Sequence, residues 1–168
     1  MDTANDQWGV ALMRLQANIE GTVPGQVLTF LMFGDVTLEP APGEDNGAMA
    51  FYFQSGVGDA PCAEAPDSGI LVQTPAGRTE VALRINDVDI LLGSTAYLQA
   101  QPQSSLTVSV VEGQAEVTAQ GVTEVARAGT QTRVELDVNN EPVSAPSDPQ
   151  PYTGVDIQAV PVKSLDRQ

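Results

Sequence analysis

The stretch Val81-Ala82-Leu83-Arg84-Ile85-Asn86-Asp87-Val88-Asp89-Ile90-Leu91-Leu92 decides the fold. Val81, Leu83 and Ile85 recur at every second position and so share one face of an extended chain, as do Val88, Ile90 and Leu92. Asn86-Asp87 between them is the residue pair that tolerates the left-handed backbone of a tight hairpin turn. The twelve residues therefore read as two strands with one oily face. The same grammar continues downstream. Leu106, Val108 and Val110 face one way, Glu112-Gly113 turns, and Ala115, Val117 and Ala119 run back beneath them. Gln120-Gly121 then turns into Val122–Val125, and Ala128-Gly129 leads to Thr132, Val134 and Leu136. Short strands with turns every few residues predict an all-β protein, an antiparallel β-sandwich or a jelly-roll-like barrel of short hairpins.

Upstream, the runs Trp8–Ala17 and Gln26–Phe33 read as buried strands. A short helix from Val10 to Ile19 is the alternative for the first run, because Leu12, Leu15 and Ile19 also fit helical spacing. Val36-Thr37-Leu38, Ala50–Phe53 and Gly69–Thr74 complete the strand-like segments, separated by the loop from Pro40 to Gly47 and by one carrying Gly56, Gly58, Pro61, Cys62 and Pro66. Phe33-Gly34-Asp35-Val36-Thr37-Leu38 and Ile85-Asn86-Asp87-Val88-Asp89-Ile90 share a shape. That is either a worn internal duplication or two turns obeying the same chemistry. Beyond Asp137, Pro142, Pro146, Pro149, Pro151 and Pro161 predict an extended or disordered tail, within which 153–160 offers one or two helical turns that dock on the sheet, capped by Thr153. The organisation expected is a single β domain over 1–137 and a Pro-rich tail over 138–168.

Charge narrows function. Among 168 residues, 22 acids against 7 bases give a formal net charge of −15. Such a surface repels nucleic-acid phosphates and anionic lipid. No apolar run approaches the roughly 20 residues that span a bilayer. The absence of histidine excludes a Ser-His-Asp triad and any imidazole-based metal site. What remains are weak constellations. The acidic loop 43–47, with Glu44-Asp45-Asn46-Gly47, offers oxygen ligands for calcium but lacks the EF-hand spacing and reads as an exposed tip. Asp87 and Asp89 share a face beside a turn, where paired carboxylates are the raw material of acid–base work, although a hydrated turn explains them as well. The pairs Ser94-Thr95 and Ser104-Ser105 have only Lys163 or a carboxylate as a base. Trp8, Tyr52, Tyr97 and Tyr152 are too few for the aromatic platforms of a carbohydrate cleft. Arg78, Arg84, Arg127 and Arg133 are dispersed among acids, so cross-strand pairing is their simplest role. Cys62 has no partner within the chain. No residue is assigned a catalytic, cofactor-binding or metal-ligating role, and the chain is not expected to be an enzyme.

Residues 68–136 resemble a FecR-type domain, the β-rich extracytoplasmic module of bacterial regulators and envelope proteins. The resemblance rests on the order of Thr74-Pro75-Ala76-Gly77, then Leu92-Gly93-Ser94-Thr95-Ala96-Tyr97-Leu98, then Val110-Val111-Glu112-Gly113-Gln114-Ala115-Glu116-Val117, and finally Ala128-Gly129-Thr130. In that family these motifs shape hairpins and carry no chemistry. The resemblance implies a non-enzymatic extracytoplasmic interaction or sensory module, secreted or held at the cell surface, that binds another protein through sheet edges or loops. The polar opening Met1–Asp6 runs straight into a strand, as in a portion of a longer protein whose signal peptide or anchor lies upstream. Two alternatives compete. One is a self-associating structural or adhesive unit, kept open by apolar edge strands. The other is a cupin-like enzyme or small-molecule binder relying on carboxylates alone.

Overall fold

Period-two patterning produces strands throughout. The computed structural model describes residues 9–16, 27–41, 49–56, 66–75, 80–153 and 157–165. Its strands are β1 (Val10–Gln16), β2 (Val27–Phe33), β3 (Val36–Pro40), β4 (Met49–Ser55), β5 (Gly69–Gln73), β6 (Val81–Ile85) and β7 (Val88–Leu92). They continue with β8 (Thr95–Ala100), β9 (Ser105–Glu112), β10 (Gln114–Ala119), β11 (Val122–Arg127), β12 (Thr130–Glu135) and β13 (Gln150–Pro151), before a single 3-10 turn at Val162–Ser164. One sheet has the order β1-β2-β5-β8-β9-β12-β13 and the other β11-β10-β7-β6-β4-β3. Pairing is antiparallel except between β4 and β6. Neither sheet closes on itself, so the architecture is a sandwich and not a barrel.

The inward rows meet between the layers. Phe30, Ile70, Val72, Leu98 and Val108 from one sheet pack with Phe53, Leu83, Ile85, Ile90, Leu92 and Val117 from the other, all buried. Phe30 meets Phe51 edge to face at 5.9 Å between ring centroids. Full burial of each such side chain contributes about 1.5–3 kcal/mol relative to exposure.

The turns divide into two kinds. Asn86 (φ 51°) and Asp87 (φ 57°) form the expected left-handed hairpin turn between β6 and β7. The Asn86 side chain also behaves like a piece of backbone: its Nδ2 donates to the Phe53 carbonyl and its Oδ1 accepts from the Phe53 N–H, both at 2.8 Å. Gln120-Gly121 makes the same turn between β10 and β11. Glu112-Gly113 does something different. It joins β9 in one sheet to β10 in the other, so the expected hairpin there is a corner. Gly113 (φ +74°) is obligatory, because a Cβ would stand 2.5 Å from the Gly93 carbonyl oxygen and 2.6 Å from Ser94 Cβ. Ala128-Gly129 carries the chain back from β11 to β12. The Ala128 N–H donates to Gly113 O at 3.0 Å and the Gly129 N–H to Val110 O at 2.9 Å, which clips the two corners together. Gly34-Asp35 is also a corner, from β2 to β3 in the opposite sheet. The pattern shared by residues 33–38 and 85–90 thus serves two unlike tasks, a sheet change in one case and a hairpin in the other.

Two further differences concern the ends. Residues 10–16 form a strand and not a helix, but the strand lies at an edge, with Val10 63% and Leu12 50% exposed where a buried strand was expected. The Pro-rich segment is extended and lies along β12. The Ser147 N–H donates to Arg133 O at 2.8 Å and the Val143 N–H to Glu135 O at 2.9 Å. The hydroxyls of Ser144 and Ser147 accept from the backbone N–H groups of Glu135 and Arg133. Gln150 and Pro151 then pair with Gln131 and Thr130. A strand rich in proline closes an edge and offers few donors for another. Ile157 and Gln158 are helical, while residues 154–156 of the expected short helix lie outside the described residues.

Replacing Asn86 with Ala strands the Phe53 N–H and carbonyl in the interior. Urea unfolding of Asn86→Ala is expected to show a loss of about 2–4 kcal/mol. Asp89→Ala on the solvated face of the same hairpin should cost under about 1 kcal/mol.

Candidate interaction surfaces

The outer face of the seven-stranded sheet is divided in two. Pairing register aligns Leu12, Leu31, Leu71, Tyr97, Ser109 and Gln131 in one row across β1, β2, β5, β8, β9 and β12. The row changes from apolar to polar at Tyr97. On the apolar side, Val160 and Leu165, helped by Ile157 and Val162, cover Leu31, Phe33, Leu71 and Tyr97 to form a second buried cluster outside the sandwich. This explains why β2 and β5 are apolar on both faces. The Tyr97 ring stacks on Phe33 at 5.7 Å and lies over Gly69, where a Cβ would have no room. Its hydroxyl donates to the Asp67 carbonyl oxygen at 2.9 Å. Burial pushes the Tyr97 phenol well above its ordinary range, and the nearby Asp67 charge adds to the shift. On the polar side, a groove of about 290 Å³ opens over β8, β9 and β12, with Gln99, Thr107, Ser109, Gln131 and Arg133 among its lining.

The sheet edges are the second feature. β13 ends in Pro151, and β3 is short and ends in Glu39-Pro40. β11 is a six-residue edge carrying Glu124 and Arg127. β1 is a seven-residue edge without proline and with a single charge, Arg14. The Gly34 N–H donates to Gly9 O at 2.9 Å, so alternation turns the amides of Ala11 and Met13 toward β2 and those of Val10 and Leu12 away from it. Among the described residues no strand pairs with that outward side. This is the arrangement that accepts an added strand.

The residues singled out in the sequence do not converge. Asp87 and Asp89 both face Arg84, whose Nε lies 3.9 and 3.4 Å from their carboxylate oxygens. Arg84 and Asp89 are direct cross-strand partners, the role expected for dispersed arginines. Ser94 Oγ donates to Glu112 Oε2 at 2.8 Å, and Thr95 Oγ1 lies 3.5 Å from the same oxygen. These contacts brace the β9–β10 corner, and the carboxylate within reach of Ser94 belongs to that corner. Ser104 and Ser105 border the polar groove, and Lys163 is on the 3-10 turn. Cys62, Trp8, Arg78 and the acidic loop 43–47 lie outside the described residues. Among the described residues no three acidic or cysteine side chains gather as a metal site, and no helix is long and apolar enough to cross a membrane. Sequence reasoning missed the groove, since its side chains come from strands separated in sequence and only register assembles them.

No family model matches the chain, and no curated protein matches it. Two crystal structures of a candidate anti-sigma factor from Parabacteroides distasonis align with it, each at 10% identity, with TM-scores of 0.44 and 0.45. The alignments cover 84% and 82% of this chain, which spans 60% and 56% of those chains.

Two outcomes follow for the covered face. A Val160→Asp, Leu165→Asp variant should lose about 3 kcal/mol or more and bind the apolar dye ANS, whereas Val143→Asp, at a position 60% exposed, should change stability by less than about 0.5 kcal/mol. The raised Tyr97 phenol stabilises the fold in its neutral form. Its contribution is complete below about pH 10 and is lost as pH rises beyond the unfolded value. Urea midpoints measured across alkaline pH should fall more steeply for the native chain than for Tyr97→Phe.

Proposed function

We propose that the chain is a non-enzymatic extracytoplasmic interaction module of the FecR type, which binds a protein partner by strand addition along β1. The observation that carries this reading is the outward side of β1, where Val10 and Leu12 combine exposed apolar side chains with amides that no strand among the described residues pairs. Main-chain hydrogen bonds would supply affinity and the alternate side chains selectivity. The FecR-type motifs support the module reading by where they sit. Leu92–Leu98 links β7 to β8, Val110–Val117 spans the Gly113 corner, and Ala128–Thr130 forms the returning corner. All three shape the scaffold, which leaves edges and outer faces for contact with a partner.

Charge selects the partner. A second copy would carry a net charge of −15 of its own, and two such acidic chains repel each other as wholes. A segment alternating apolar residues with Lys or Arg meets the opposite condition. Self-assembly is therefore the weaker reading.

The test is selection of binders from a random peptide display library. The selected peptides should alternate apolar with basic residues, weaken with added salt, and bind Leu12→Pro at least about ten-fold less tightly. That substitution removes an amide directed away from β2, so the strand can stay paired and circular dichroism should be unchanged. Binders that ignore Leu12→Pro, or a chain that dimerises through β1 in place of binding peptide, would overturn the proposal.

A further inference from the structure

The geometry points to a second, separate site: the polar groove on the outer face of β8, β9 and β12 takes a small neutral sugar, one or two rings long. The groove differs from the other solvated faces of the molecule. The outward positions of β6 and β7 carry Arg84 and Asp89, with Asp87 in the turn between them, and those of β10 and β11 include Glu116 and Arg127. In the groove the corresponding positions are amides and hydroxyls: Gln99, Gln101, Thr107, Ser109 and Gln131. In a chain with 22 acids, that neutrality is a departure from its own composition. The only opposite charges at the lining are Arg133 and Asp67, one of each sign.

Shape adds to chemistry. A bare sheet face is flat, but here the loop at Asp67 with Tyr97 and the turn from Gln101 to Ser104 border the floor. Ser109 is only 3% exposed, and Gln99, Thr107 and Gln131 are half-buried. The volume of about 290 Å³ lies at the small end of ligand sites, roughly 300–1,000 Å³. Ser109 Oγ donates to Gln131 Oε1 at 3.2 Å, which orients that amide and leaves its nitrogen to donate. Amides and hydroxyls that both donate and accept match the vicinal hydroxyls of a sugar. A phosphate or nucleotide would face the repulsion of the whole acidic surface for one exposed arginine. The single aromatic residue at the groove, Tyr97, has its ring buried against Phe33, so the sugar would be held by its hydroxyl edge and not by stacking.

The test titrates the ¹⁵N-labelled chain separately with maltose, cellobiose and N,N′-diacetylchitobiose. At least one should shift the amides of Gln99, Thr107, Ser109 and Gln131 saturably, and Gln99→Ala with Gln131→Ala should weaken that binding about ten-fold with an unchanged β spectrum. The Leu12→Pro variant should bind the same sugar as well as the native chain, which separates this site from the β1 edge. No saturable shift with any of the three, equal binding by the double variant, or the same shifts with glycerol would overturn the inference. So would a neutral Pro-Ser peptide that occupies these amides in preference to the sugars.

Discussion

The apolar layer between the two sheets is the constraint on which the rest depends. Each sheet turns one row of Val, Ile, Leu and Phe toward the other, and neither row has anything else to pack against. With no metal site among the described residues, that contact, joined by the smaller cluster beneath residues 157–165, must offset the entropy of ordering the chain. The consequence reaches the connections. To fill both layers from one chain, the polypeptide changes sheets at Gly34-Asp35, at Glu112-Gly113 and at Ala128-Gly129, and each corner is held by backbone hydrogen bonds to a neighbour. Gly113 has no room for a side chain because two segments meet there.

Once the interior is fixed, function is left to the surfaces it does not use. The outer face of the seven-stranded sheet is partly sealed by the chain's own residues 157–165 and partly open as a polar groove. One lateral edge is occupied by the Pro-rich segment, whose serine hydroxyls accept the amides of β12. The opposite edge, β1, has no strand on its outward amides among the described residues. The asymmetry between a proline-guarded edge and an unguarded one is the physical basis for assigning interaction to β1.

Much of this was legible in the residues. Alternation at 81–92 gave β6 and β7 with their turn, and the apolar runs at 26–33 and 69–74 were readable as strands, the first of them as a buried one. Which strands the docking tail covers was not, because Val160 and Leu165 lie some ninety residues beyond Leu71, further still from Phe33, and carry no pattern linking them to either. Nor was the function of each turn. Asn86-Asp87 and Glu112-Gly113 are both two-residue signals, and alternation points apolar side chains inward whichever sheet the next strand joins. The difference lies in tertiary crowding around Gly113. The parallel pairing of β4 with β6 was hidden for the same reason, since residues between them offer no register signal. The groove was the least legible feature, being assembled from β8, β9 and β12 only after pairing.

Amide hydrogen exchange measured residue by residue along β1 and its neighbours tests the central claim most directly. A sandwich ending in an open first strand predicts slow exchange through β2, β5, β8 and β9 and an alternating pattern in β1, with Ala11 and Met13 protected and Val10 and Leu12 exchanging freely. Uniform protection along β1 would mean that its outer side is already paired, and fast exchange in β8 or β9 would mean that the two layers do not share an interior.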